Sequence, residues 1–209
     1  MEYILSATGV KYLDLIEYPE INIEENKMTF ICGESGVGKT TLFRLFNGTV
    51  SPSEGKILFR GTDISETDTI SLRRKICLVS QEPYLFEGTV KDNFYTYYSY
   101  RGDAPPGEEE MKHCLSVCCA DFPVERNCLF LSGGEKQRLF TAIFLSFSPE
   151  VILLDEPTSA LDEITANRLM SGIREHCQKN GITALVISHD KRMLSRFADS
   201  VITLERRHD

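Results

Sequence analysis

The chain has 209 residues, enough for one packed domain, or for one domain carrying a smaller lobe. Its hydrophobic share of 42% and charged share of 26% are those of an ordinary globular protein, and a net charge of −8 offers no basic footprint for nucleic acid. No apolar run approaches the roughly 18 residues needed to cross a bilayer, and the N-terminus shows no signal-peptide pattern, so a membrane is expected to be reached only through a partner.

Residues 1 to about 25 alternate apolar and polar side chains (Ile4 and Leu5, Val10 and Tyr12, Ile21 and Ile23), which predicts short antiparallel strands with a turn at Pro19. Tyr12 reads either as a core aromatic or as a platform on which a base stacks. Met28 to Cys32 is an apolar run that predicts a buried strand. It leads into Gly33-Glu34-Ser35-Gly36-Val37-Gly38-Lys39-Thr40, which fits the phosphate-loop pattern G-x-x-x-x-G-K-[ST], and Thr41 extends the set. A helix is predicted to follow, with Leu42, Phe43, Leu45 and Phe46 as its apolar face. Glycines let successive N–H groups turn toward one anion, and the helix dipole points its positive end there. Lys39 is placed to reach terminal phosphates, and the Thr40 hydroxyl to hold a Mg²⁺ ion.

Ser51-Pro52-Ser53-Glu54-Gly55 is a turn cluster, Lys56 to Phe59 a strand, Arg60-Gly61-Thr62-Asp63 a second turn, and Leu72 to Lys75 the end of a short helix. Ile76 to Ser80 is a continuous apolar run ending at Gln81, consistent with a buried parallel strand. From Glu82 to about Phe130 the β pattern stops, and the loop Arg101 to Gly107 separates helical stretches. Phe94, Tyr95, Tyr97, Tyr98 and Tyr100 crowd one segment there, as a packing face, a docking surface, or both. His113, Cys114, Cys118, Cys119 and Cys128 lack the C-x-x-C spacing of a metal site and read as packing, as do Cys32 and Cys77.

The α/β alternation resumes at Leu131, with helices over about Gly134–Phe147, Glu163–Cys177 and Lys191–Arg196. Strands are predicted at Val151–Leu154, Thr183–Ile187 and Ser200–Leu204. The fold class expected is α/β, a mostly parallel sheet around a phosphate loop, with an N-terminal antiparallel β subdomain and a helical insertion. In domain terms, residues 1–209 form one unit: 1–81 and 131–209 are the nucleotide-binding core and 82–130 the helical subdomain.

Three apolar strands deliver polar residues at their carboxyl ends, the edge at which open α/β sheets bind ligands. Val151 to Leu154 ends in Asp155 and Glu156. A strand beside the phosphate-loop strand places Asp155 near the metal, while Glu156 is free to hold a water in line with the γ-phosphate. Thr183 to Ile187 delivers His189 toward a phosphate, and Gln81 can touch the metal or its water. Leu131-Ser132-Gly133-Gly134-Glu135 opens a helix on a hydroxyl and bare N–H groups, a second anion site. One nucleotide hardly needs two helix N-termini from one small domain. Two chains packed head to tail supply both.

These residues resemble the ATP-binding subunits of ABC transporters over essentially the whole chain: Walker A at Gly33–Thr40, Q-loop at Gln81, the LSGGE signature at Leu131–Glu135, Walker B at Val151–Asp155 followed by Glu156, the D-loop at Ser159–Asp162 and the switch histidine at His189. The resemblance implies ATP and Mg²⁺ as ligands and Tyr12 as the adenine-stacking aromatic. It also implies a homodimer sandwiching two ATP molecules, with Ser132, Gly133 and Gly134 acting in trans. Catalysis is then expected from Glu156, His189, Gln81 and Lys39, and metal binding from Thr40, Gln81 and Asp155. A separate transmembrane permease would hold the protein at the cytoplasmic face of the membrane. An arginine common in the family after the signature is absent, with Thr141-Ala142-Ile143 in its place. The run Gln81 to Asn93 and His189-Asp190-Lys191 resemble small bacterial subunits for iron export, and Leu-Phe-x-Gly-Thr-Val occurs in exporters more broadly. The alternative is a soluble ABC-type ATPase that drives assembly or remodelling without a permease. A small-molecule kinase leaves the Ser-Gly-Gly segment unexplained.

Overall fold

The computed structural model describes residues 3–13 and 15–205; the ends of the expected 1–209 unit lie outside them. Ten strands and seven α-helices are assigned among the described residues. In chain order the first elements are β1 (Tyr3–Tyr12), β2 (Ile16–Glu17), β3 (Ile21–Glu24), β4 (Met28–Gly33), α1 (Lys39–Phe46), β5 (Glu54–Phe59), β6 (Thr62–Asp63), α2 (Thr69–Lys75) and β7 (Ile76–Val79). There follow α3 (Val90–Arg101), α4 (Glu108–Val117), α5 (Gly133–Ser146), β8 (Val151–Asp155), α6 (Glu163–Asn180), β9 (Thr183–Ile187), α7 (Lys191–Phe197) and β10 (Ser200–Leu204).

Two sheets result. The first is antiparallel: β1 pairs with β2, β3 and β5, and β5 with β6. The second is parallel, in the order β10-β4-β9-β8-β7. Thr62 and Asp63, read from sequence as part of a turn, pair with Phe59 and Leu58 instead. The turn itself shrinks to Arg60 and Gly61, both at positive φ, a two-residue connection whose twist suits a hairpin.

Alternation along the parallel strands sorts two cores. Phe30, Val79, Ile152, Leu154, Ala184 and Val186 face one way, onto a cluster shared with α3 to α7. Ile31, Ile76, Val151, Leu153, Leu185 and Ile187 face the other, onto α1, α2 and the antiparallel sheet. Side chains alternate between sheet faces in any strand, so a strand covered on both faces is buried along its whole length, as β8 and β9 are, with Asp155 and Thr183 the polar residues at their ends. The segment between β7 and α5 therefore has no separate core: Val90, Phe94, Met111 and Leu115 pack into the same cluster as the sheet.

The cysteines divide by depth. Cys114, Cys118 and Cys128 are buried in that cluster, Cys119 is half-buried, and none is bonded to another. Burial pushes the Cys114 thiol up to about 12. Cys77 is buried as expected, whereas Cys32 is half-buried beside the phosphate loop. Thr141, in the stretch where the resemblance leads one to expect an arginine, is fully buried and donates to the Gln137 carbonyl at 2.9 Å. No described helix is long and apolar enough to cross a membrane.

Candidate functional site

The turn between β4 and α1 is built for close backbone approach. Gly38 caps α1 at φ 99°, in the left-handed region, with no side-chain cap and no acid in the first turn. A Cβ on Gly38 would stand 2.8 Å from Ile16 Cδ1 and 2.9 Å from the Tyr18 hydroxyl, so only glycine fits. Tyr18 is buried and donates to the Gly38 carbonyl at 2.9 Å; burial pushes its pKa well above the ordinary tyrosine value. Its hydroxyl also meets Thr41. Val37 is buried and anchors the loop, while Glu34, Ser35 and Gly36 are exposed at its crest. Lys39 is buried, and its ammonium donates to the carbonyls of Gly33 (2.9 Å) and Glu34 (2.8 Å), spanning the mouth of the loop.

Thr40 donates to Asp155 Oδ2 at 2.8 Å. The sequence expectation had β8 beside β4, but β9 lies between them. The pair forms nonetheless, because α1 packs across one face of the sheet and touches β8 as well as β4. Asp155 is buried, and that burial raises its pKa above the ordinary aspartate value; the Thr40 hydrogen bond opposes the shift and the Glu156 charge adds to it. A hydroxyl and a buried carboxylate 2.8 Å apart make an all-oxygen donor set suited to a hard divalent cation.

Beyond β8 the backbone turns sharply. Glu156 sits at φ 50°, an uncommon conformation for a residue with a side chain, and its N–H donates to the Ile187 carbonyl. His189 Nε2 lies 2.9 Å from Glu156 Oε1, and Gln81 Nε2 donates to Glu156 Oε2 at 3.2 Å. Gln81, Glu156 and His189 thus converge from the ends of β7, β8 and β9, although β7 stops at Val79 and Gln81 stands in the loop beyond it. Gln81 is directed at Glu156, not at the Thr40–Asp155 pair. A cavity of about 300 Å³ opens beside Glu156 and His189, also lined by Thr158, Ser159 and Leu161.

Ser132 caps α5 in a reciprocal box. Its hydroxyl accepts from the Glu135 N–H at 3.3 Å, and its own N–H donates to Glu135 Oε2 at 2.8 Å. Arg126 pairs with the same carboxylate at 2.8 Å. The Ser132 N–H is the first of the groups that hold Glu135 below the usual carboxylate range. Gly133 and Gly134 follow as the first helical residues. Further along α5, Gln137 donates to the Ser80 carbonyl at 3.2 Å, next to Gln81. Tyr12 ends β1 half-buried, packed against the antiparallel-sheet core and close to Tyr18. Tyr18 and Ile16 were missed by sequence reasoning. Tyr18 acts across twenty residues through a tertiary contact, and the only local sign was Pro19 after it.

Comparison with known proteins agrees with this geometry. Residues 17–159 match the ABC transporter family. "Probable iron export ATP-binding protein FetA" of Escherichia coli is 34% identical over 199 residues, covering 95% of this chain and 87% of that one. "ABC transporter I family member 17" of Arabidopsis thaliana is 37% identical over 182 residues, covering 87% of this chain and 69% of that one. Among solved structures, cbiO1 from Clostridium perfringens, described as part of the ABC transporter complex cbiONQ, superposes with a TM-score of 0.85 at 30% identity, covering 98% of this chain and 85% of that one. With its phosphate loop, acid-tipped strand and Ser-Gly-Gly helix start in one fold, the chain belongs to the ABC transporter family, as an ATP-binding subunit that hydrolyses ATP to drive transport.

Proposed function

We propose that hydrolysis is carried by the trio Gln81, Glu156 and His189 beside the Thr40–Asp155 pair, and the 2.9 Å His189–Glu156 contact is the observation that carries this reading. Gly33 to Thr41 cradle the phosphates of ATP, and Lys39 turns from the loop carbonyls to the terminal phosphates. Thr40 and Asp155 would hold Mg²⁺, which would supply charge neutralisation on the phosphates, whereas Gln81 faces Glu156. Glu156 accepts a proton from the attacking water, whose oxygen bonds to the γ-phosphorus as ADP leaves. His189 holds that carboxylate in place and contacts the γ-phosphate. Tyr12 stacks on the adenine.

The catalytic core is residues 1–81 and 131–209, with 82–130 as a helical subdomain. Two copies close head to tail on two ATP molecules, and Ser132, Gly133 and Gly134 of one meet the nucleotide of the other. A separate permease docks against the helical subdomain and holds the protein at the cytoplasmic face of the membrane. Two features support that docking. Tyr95 and Tyr100 are exposed, whereas Phe94 and Tyr98 on the same helix are core residues. A groove of about 230 Å³ lies between Tyr97, Tyr100, Phe144 and Phe147 on one side and Arg73 and Ile76 on the other. Export, with iron as cargo, is the direction favoured by the Leu85–Val90 run and the near full-length relative named for iron export.

Glu156→Gln tests the reading. ATP binding is expected to persist while turnover falls roughly a hundredfold or more, the scale of general-base catalysis, and ATP should leave a stable dimer visible by gel filtration. Wild-type turnover in this variant removes Glu156 from the role of base.

A further inference from the structure

A cavity of about 570 Å³ lies between α4 and α6, and none of its lining residues belongs to the nucleotide site. The two helices meet backbone to backbone there. Gly172 sits in the interior of α6, where glycine weakens a helix, yet a Cβ at that position would stand 2.3 Å from the Val117 carbonyl oxygen. The cleft opens beside this contact.

Its walls are cationic in a chain of net charge −8. Arg168 and Lys179 of α6 and Arg196 of α7 line it, against a single carboxylate, Glu175. Among the described residues neither Arg168 nor Lys179 is ion-paired. Arg196 is steadied at the wall by donating to Asn167 Oδ1 at 2.8 Å. His113 of α4 and His176 of α6 face each other with ring centroids 5.7 Å apart. His176 is only 8% exposed, and neither of its ring nitrogens has a hydrogen-bond partner, which is unusual for a buried polar side chain. Burial first, then His113 and Lys179, hold its pKa below the ordinary histidine value. A metal cation would be repelled here. An anion would not.

We propose that this cleft binds a small polyanion, a molecule carrying two or more clustered phosphate or carboxylate groups, and that its occupancy ties α4 to α6. The volume suits a small metabolite, and charge-assisted hydrogen bonds from Arg168, Lys179 and Arg196 supply the recognition. Because α4 belongs to the proposed helical subdomain and α6 to the catalytic core, the ligand bridges the two parts of the subunit.

The test uses the full chain with its phosphate loop filled by magnesium-free ADP. Pyrophosphate and, separately, citrate are titrated into it by calorimetry. Saturable binding of at least one is expected, weakened by about tenfold or more in Arg168→Glu/Lys179→Glu with ADP affinity unchanged. Preference for pyrophosphate assigns a phosphorylated ligand and preference for citrate a polycarboxylate. Arg168→Gln, a neutral change at an exposed position, is expected to weaken binding severalfold and serves if the double reversal does not fold. Absence of saturable binding, or binding that these variants leave untouched, overturns the proposal.

Discussion

Helices α1 and α5 both begin on glycine-bearing turns, but they leave their first N–H groups in opposite states. At α1 the cap is Gly38, without a side chain, and the first turn carries no acid. At α5 Ser132 and Glu135 satisfy each other, and Arg126 holds the carboxylate in place. An uncapped N-terminus with its dipole unopposed is an anion site ready within one chain. A capped one with a carboxylate already on it has to give something up before a phosphate can approach. The difference matches the roles proposed for them: α1 binds the nucleotide of its own chain, and α5 completes a site only when a second chain brings a nucleotide to it.

Three substitutions press on that contrast. Ser132→Arg should have the largest effect, abolishing the ATP-dependent dimer and turnover with it, while ATP affinity in the isolated chain stays unchanged. Light scattering with and without ATP reads the first and equilibrium titration the second. Equal loss of binding in the monomer would place Ser132 at its own chain's nucleotide and end the trans arrangement. Lys39→Ala comes next. Losing a charged hydrogen bond to phosphate is worth about 1.5–3 kcal/mol, so ATP affinity should fall roughly ten- to a hundredfold, measured with a fluorescent nucleotide. Unchanged affinity would mean that the bare helix start alone binds the anion. Tyr18→Phe is the mildest. It removes the hydroxyl from the Gly38 carbonyl at a cost of about 0.5–1.5 kcal/mol, seen as a lower midpoint in denaturant and a modest loss of ATP affinity. A variant as stable as the parent would show that Ile16 packing alone holds the loop.

Much of this site could be read from local pattern. The phosphate loop, the strands ending at Asp155 and Ile187, and the Ser-Gly-Gly helix start each carry their signal within a dozen residues, and the structure forms them there. Strand order carries no such signal. Nothing in Met28–Cys32 or Val151–Leu154 says that β9 separates them, because order is set by how the crossover helices pack. The crowded aromatics could have been sorted further: Phe94 and Tyr98 are four apart and share the buried face of α3, which leaves Tyr95 and Tyr100 outside. The Tyr18 contact and the direction of Gln81 toward Glu156 depend on distant segments meeting, and no window of sequence holds them.

The left-handed backbone of Glu156 has a consequence for how this position can change. Holding a side-chain-bearing residue there costs on the order of 1 kcal/mol or more, a cost that glycine would not incur. Libraries screened for heat resistance alone should therefore drift toward glycine or asparagine at 156 and accumulate well-folded, inert proteins. Only selection that reads transport would keep the acid.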